Sequence, residues 1–315
     1  MKVIFFGTPE YAVPVLQAII SSRHQVVAVV SQPDKPKGRS NKPVFTPVKA
    51  LAVKNDIPVF QYEKIRKDDV SELLNIEADI IVTCAYGQII GANILFAKKF
   101  GVINLHGSLL PKLRGSSPIQ WALINGEKTT GVTVLKSGIG MDDGDILLKK
   151  EIKIEEDDNA ISLFDKLSHL SADLAIEALD LLESGNFKYE PQNANEATSC
   201  KMLDAQMGDL DFNQPAQKVS NLIKGLAMWP TAHMTIDGVY FKVYNSRVYS
   251  QTTNQNYECG QVVIANNKQG LVIACQNSLI EITELLPINS KKMSAKSYLN
   301  GKKIELGSIA KWIKN

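Results

Sequence analysis

The sequence is poor in cysteine: Cys84, Cys200, Cys259 and Cys275 are its four among 315 residues, widely spaced and with no C-x-x-C pair. That spacing argues against a disulfide framework and a thiolate zinc site, and buried, reduced thiols are the expectation. Histidine is as scarce: His24, His106, His169 and His233 form no H-E-x-x-H pattern, so no metal is expected. No apolar run approaches a membrane span, and Met1 to Gly7 reads as a first strand with no small-residue cleavage site, so a cytoplasmic protein with no membrane partner is expected. Only Gly7-Thr8-Pro9 follows that strand, and the missing G-x-G-x-x-G argues against a dinucleotide site. Solenoid repeats and low-complexity tracts are also lacking.

What remains is an ordinary globular composition, 44% hydrophobic and 22% charged, in a chain long enough for two cores. The net charge of +2 hides an asymmetry: residues 1–199 carry 22 basic against 25 acidic side chains, residues 200–315 carry 13 against 8. A basic C-terminal half is what a polyanion partner requires, although a solubilising surface accounts for it equally.

Short apolar runs alternate with amphipathic stretches in the first half. Strands are expected at Lys2 to Phe6, Gln25 to Val30, Ile57 to Phe60, Asp79 to Cys84 and Gly101 to Leu105, with a helix over Tyr11 to Ser22. That order predicts an α/β, Rossmann-like, mostly parallel sheet over residues 1–188, extended by strands at Val132 to Leu135 and Asp145 to Ile154. Gly115-Ser116-Ser117-Pro118 reads as a helix start capped by Ser, Trp121 as packing, and Asn159 to Leu182 as a long amphipathic helix. Residues 189–205 lack apolar periodicity and read as a linker. After a helix from about Pro215 to Met228, five runs, Ala232 to Ile236, Val239 to Tyr249, Gly260 to Ala265, Gly270 to Cys275 and Leu279 to Leu286, are rich in β-branched residues and separated by turn residues. They predict a small OB-like β-barrel over residues 206–315.

Chemistry concentrates in Asn104-Leu105-His106, at the end of an apolar run. On an extended segment, residues two apart point the same way, so a carboxamide and an imidazole converge. Such a pair can hydrogen-bond a developing oxyanion and handle a proton; it also suits a strand end and a turn cap. Gly140-Met141-Asp142-Asp143-Gly144 adds an acidic loop, which is a common Asx turn when found alone. In combination with Ser108-Leu109-Leu110-Pro111-Lys112-Leu113-Arg114-Gly115, these segments resemble the folate-dependent formyltransferases, whose signature joins Asn-x-His, Ser-Leu-Leu-Pro-x-x-x-Gly and an Asp-x-Gly loop. The resemblance runs essentially end to end. It implies 10-formyltetrahydrofolate as co-substrate, Asn104, His106 and Asp142 as catalytic residues, and folate contacts at Tyr86, Gly87, Gln88, Ile89, Ser108, Leu109, Leu110 and Pro111. Asp143 leaves open which carboxylate faces the imidazole, and pattern position favours Asp142.

Two features bear on the acceptor. Gln32-Pro33-Asp34-Lys35-Pro36-Lys37-Gly38-Arg39, continuing to Lys42, sets four cations against one acid. In the family members that act on aminoacyl-tRNA the corresponding loop enters the acceptor stem, and the resemblance implies tRNA contacts at Lys35, Lys37, Arg39 and Lys42. The C-terminal domain, with Lys291, Lys292, Lys302 and Lys303, is the second feature. Initiator Met-tRNA is therefore the expected partner, bound by a monomer, with translation initiation as the setting. The competing expectations are a small amine such as a UDP-amino-sugar, or a non-catalytic RNA-binding relative. An α-amino group titrates at roughly 7.7 to 8.0 in model peptides, so neither a metal nor a covalent nucleophile is required, and Ser108 reads as a loop residue.

Overall fold

A computed structural model describes residues 1–36, 43–252 and 256–311. The chain divides into two compact units: Met1–Gly115 with Thr129–Lys153 and Phe164–Cys200, and Ser116–Lys128 with Ile154–Leu163 and Lys201–Asn315.

The first unit is built on a seven-stranded sheet of β1 (Lys2–Gly7), β2 (Gln25–Ser31), β3 (Val59–Gln61), β4 (Ile80–Cys84), β5 (Val102–His106), β6 (Thr129–Lys136) and β7 (Ile146–Lys153). Its order is β7-β6-β5-β4-β1-β2-β3; the first five strands in sequence pair parallel, and β6 and β7 add antiparallel. β1 and β4 are apolar on nearly every residue because a parallel sheet with helical crossovers is covered on both faces. Ile4, Phe6, Ala28, Val30 and Ile81 share one cluster with Ile65, Leu73, Tyr86 and Ile94, and complete burial of each such aliphatic or aromatic side chain is worth about 1.5–3 kcal/mol.

The helix expected from Tyr11 starts at Val13 instead. Glu10–Ala12 forms a 3-10 turn, and α1 (Val13–Ile20) follows with a proline in its first turn, where the missing N–H has no helical partner to lose. α2 (Pro47–Lys54) is capped by Thr46, which accepts from Lys49 N at 3.2 Å.

The second unit holds α3 (Pro118–Ile124) and α5 (Ala216–Gly225); α4 (Ala160–Ser184) is the long helix, divided between the units at Leu163 and Phe164. Ser117 sits at the cap position of α3 without a capping bond, so proline alone fixes that start. Trp121 also does more than pack: its Nε1 donates to Lys201 O at 2.8 Å.

Five antiparallel strands, β8 (Ala232–Ile236), β9 (Val239–Ser250), β10 (Val262–Asn266), β11 (Gly270–Cys275) and β12 (Ser278–Pro287), run in the order β8-β9-β12-β11-β10. Edge strands expose unpaired backbone groups. Here residues 308–311 serve both edges, since Lys311 exchanges bonds with Thr235 of β8 at 2.8 and 3.0 Å, while Ser308 O accepts from Val262 of β10 at 2.8 Å. Inside lie Leu210, Ile223, Met234, Phe241, Leu271, Ile280 and Leu285. Burial pushes the Cys84 thiol well up and that of Cys275, with Cys259 nearby, up to about 12. No helix among the described residues is long and apolar enough to cross a membrane.

Candidate active site

Asn104 and His106 close β5, and the register decides their neighbours. Asn104 lies beside Thr83 of β4 on one side and Leu135 of β6 on the other; His106 lies beside Thr133. Thr83 Oγ1 donates to Asn104 Oδ1 at 2.8 Å, which turns the amide nitrogen away from β4. That nitrogen reaches Asp142 Oδ1 at 3.4 Å, a long contact that uses one of its two hydrogens.

His106 is buried, and its Nε2 lies 2.9 Å from Leu113 O. A carbonyl only accepts, so Nε2 carries the hydrogen there and the neutral ring keeps its lone pair on Nδ1. Nδ1 lies 3.6 Å from Asp142 Oδ2. The same Oδ2 accepts from Gly115 N at 2.9 Å. The amide, the ring and the acid thus meet at one place, and the acid is Asp142; Asp143 is exposed and lies beside Gly138 and Gly140.

The site is framed by non-glycine residues in the left-handed region: Ala85 (φ 47°), Leu113 (φ 58°) and Asp142 (φ 50°). Each costs on the order of 1–3 kcal/mol and persists only where surrounding contacts over-determine it. Leu113 is held by Thr198 Oγ1, which accepts from its N–H at 2.9 Å, and by the His106 ring on its carbonyl. Asp142 is held by Gln192, whose Nε2 donates to Asp142 O at 2.8 Å and Gly144 O at 2.7 Å. Motif reading gave no role to Thr83, Arg114, Gly115 N or Gln192. Thr83 lies on the strand beside β5 and Arg114 and Gly115 close the Ser-Leu-Leu-Pro-x-x-x-Gly segment, whereas Gln192 carries no signal.

The segments expected to meet folate divide into accessible and committed parts. Gly87 (φ 85°) and Ile89 are exposed, and a Cβ on Gly87 would overlap Gln32 Nε2. Gln88 is tied down at both ends, its Oε1 accepting from Ile65 N at 2.9 Å and its Nε2 donating to Tyr62 O at 2.8 Å. Tyr86 is buried with its ring edge-on to Phe6, its hydroxyl has no partner among the described residues, and burial, then Tyr62 and Asp68, push that hydroxyl's pKa up. Ser108 Oγ donates to Lys112 O at 2.7 Å, so the hydroxyl supports its own loop. Leu110 packs with Leu135 and Ile146, whereas Leu109 and Pro111 are half-buried.

Of the basic loop, Lys35 is exposed in a two-residue strand, Lys35–Pro36, paired with Pro43–Val44. Lys37, Arg39 and Lys42 lie outside the described residues. Burial works to raise the Asp34 carboxyl, but the Lys49 ammonium at 2.6 Å and the Gln61 amide at 2.9 Å outweigh it and hold it below the usual range. The loop's one acid is thereby neutralised. In the second unit Lys292 pairs with Glu284 at 3.0 Å and Lys303 with Glu305 at 2.8 Å; exposed pairs of this kind are worth about 0–1 kcal/mol, so both cations can be redirected to a phosphate. A further cluster, His24, Asp180 and Glu183, has ligand-like spacing, but Arg23 and the Met1 ammonium already engage its carboxylates at 2.6 to 2.9 Å.

The chain matches the Formyl transferase family over residues 1–179 and the Formyl transferase C-terminal domain over residues 202–303. It is 42% identical to a methionyl-tRNA formyltransferase of Lachnospira eligens, with 98% of each chain covered. With that of Agathobacter rectalis it shares 40% identity, over 98% of this chain and 99% of the relative. Among solved structures, a sugar 3N-formyl transferase with dTDP and 5-N-formyl-THF superposes with a TM-score of 0.68 at 18% identity, covering 92% of this chain and 99% of the other. An N-formyltransferase from Helicobacter canadensis gives 0.67 at 17%, covering 93% and 100%. At that identity the structural likeness concerns the fold alone.

Proposed function

We propose the following reaction for this chain, which belongs to the formyl transferase family: the formyl group of 10-formyltetrahydrofolate passes to the α-amino group of methionine esterified to initiator tRNA. The observation that carries the reading is the meeting of Asn104, His106 and Asp142, with the imidazole lone pair on the side of the acid.

Each group has a part the geometry suits. Thr83 holds the Asn104 oxygen, which leaves Nδ2 as the donor toward a carbonyl oxygen on which negative charge develops. The Nε2 hydrogen of His106 is committed to Leu113 O, so Nδ1 is the atom that receives the proton of the attacking amine. The Asp142 carboxylate, 3.6 Å away, balances the charge the ring then carries. One N–H is lost at the acceptor and one is formed at the donor nitrogen, so a group that takes a proton and returns it closes the cycle without a metal or an acyl-enzyme. The folate supplies the formyl group. The bare Gly87 backbone, the exposed Ile89 and the unpartnered Tyr86 hydroxyl suit a flat ring that needs an apolar face and polar edges.

The tRNA reading rests on the relatives' acceptor and on charge. Lys35, Lys37, Arg39 and Lys42 in the first unit and the basic residues 206–315 are assigned to tRNA phosphates. The test is formylation by the purified protein of Met-tRNA on initiator and elongator bodies, beside a UDP-amino-sugar. Transfer to initiator Met-tRNA well above the other two is expected. Formylation of the sugar and of neither tRNA would reverse the assignment.

A further inference from the structure

Gln192 belongs to none of the motifs, yet its amide is the most fully bonded polar side chain near the site. Both Nε2 hydrogens are used, on Asp142 O at 2.8 Å and Gly144 O at 2.7 Å. Its Oε1 accepts twice from Arg114, from Nε at 3.1 Å and from a terminal guanidinium nitrogen at 2.8 Å. The amide has one possible orientation, because carbonyls cannot donate and a guanidinium cannot accept. Arg114 is fixed in turn: its N–H bonds Thr198 O at 2.9 Å, and Arg114–Gly115 pairs with Ser199–Cys200. Gly115 cannot gain a side chain there, since a Cβ would overlap Cys200 O.

One short strand therefore grips Asp142 at two points. Gly115 N holds the carboxylate, and Arg114, through Gln192, holds the backbone on either side of Asp143. The neighbours of Asp142 in sequence, Met141 and Asp143, are exposed and give it little support, while its own φ of 50° is unfavourable for a residue with a side chain. The loop keeps this shape only if something outside it over-determines the backbone.

We propose that Gln192, oriented by Arg114, is a positioning residue for the catalytic carboxylate: it fixes the Asp142 backbone so that the side chain faces His106 Nδ1 and Asn104 Nδ2 together. The inference rests on the role assigned to Asp142 above. A tie that merely fastened the 189–200 segment would need some hydrogen bond at this place, but not two donors aimed at the loop carrying the acid.

Gln192→Glu separates the two readings. The substitute has the same shape and still accepts from Arg114, but it can donate to neither carbonyl. Misplacing a reacting group by about an ångström costs on the order of 100-fold in rate, so kcat for formylation of Met-tRNA should fall about 10- to 100-fold with KM for both substrates within about twofold of the parent. Arg114→Lys, which leaves Gln192 in place, should show a smaller loss of the same kind and covers the case in which Gln192→Glu folds poorly, as judged by circular dichroism. The decisive measurement is additivity: in an Asp142→Ala background, Gln192→Glu should change the residual rate by less than about twofold, because partners acting through one group do not add. Parental kcat in folded Gln192→Glu, or a full loss that persists without the Asp142 carboxylate, overturns the proposal while leaving the family reading intact. Parental turnover in Asp142→Ala itself overturns both.

Discussion

The behaviour of three side chains turns on which atom of each is already taken. Asn104 spends its oxygen on Thr83, at 2.8 Å, and His106 its Nε2 hydrogen on Leu113, at 2.9 Å. What each has left, an amide donor and a ring lone pair, is what the proposed transfer would use. Removing one preorganised donor of this sort typically costs about 2.7–4 kcal/mol of transition-state stabilisation, or roughly 100- to 1,000-fold in rate. Single-turnover formylation at saturating substrates should therefore fall by that order in Asn104→Ala, and by roughly 100- to 10,000-fold in His106→Ala, where a proton acceptor is lost, with tRNA affinity by filter binding close to the parent. Equal losses in rate and in affinity would mean that these residues serve binding instead. The motifs were enough to bring Asn104, His106 and Asp142 forward as candidates, and the fold places them side by side. Motif spacing gave no sign of Gln192, because a residue that acts through hydrogen bonds to another segment's backbone carries no local pattern.

Among the elements, β6 supports the site without supplying a reactive group. Thr133, fully buried, donates to Ser108 O at 2.7 Å and accepts from Leu110 N at 3.1 Å, so one hydroxyl satisfies both ends of a turn that would otherwise bury unpaired backbone. Thr133→Val keeps the volume and removes both bonds. Leaving a buried donor or acceptor unsatisfied costs about 1–3 kcal/mol, and urea unfolding should report a lower midpoint with an unchanged slope. An unchanged midpoint would show that the loop finds other partners. The strands themselves were legible: β8 and β11 lie at the expected residues, and most others within one or two, because alternation and apolar runs are properties of the chain. Ends set by packing were less so. α5 stops at Gly225, short of the Met228 expected, and a Cβ on Gly225 would overlap α3 at Ile124.

On the scale of the whole molecule, closure of the second unit depends on its last described residues. Ile309 and Lys311 bridge Gln261 and Thr235, next to β10 and within β8, the two outer strands; Asp209 bridges His233 on the same edge of β8. Ending the chain after Glu305 should expose the edge of β10 and part of that of β8, and free edges invite pairing with another copy. A lower melting temperature and self-association by sedimentation velocity are expected of that variant. A monomer with the parental melting curve would show that the five strands close without residues 308–311. Motif reading placed a barrel here from five strands and left the closing segment out, since one bridge to each edge gives too short a run to have a period.

The sequence by itself determined the order of strands and helices, the positions of the candidate side chains and the division of charge between the halves, because each depends on residues near one another along the chain or on their sum. Only the tertiary structure decided which carboxylate faces His106, which imidazole nitrogen is left bare, and that Gln192 and Arg114 hold the Asp142 loop. Those are matters of strand register and left-handed backbone at Leu113 and Asp142, fixed by contacts between residues as far apart as Asp142 and Gln192. A hydrogen bond across such a separation leaves its direction in space, not in any spacing along the chain.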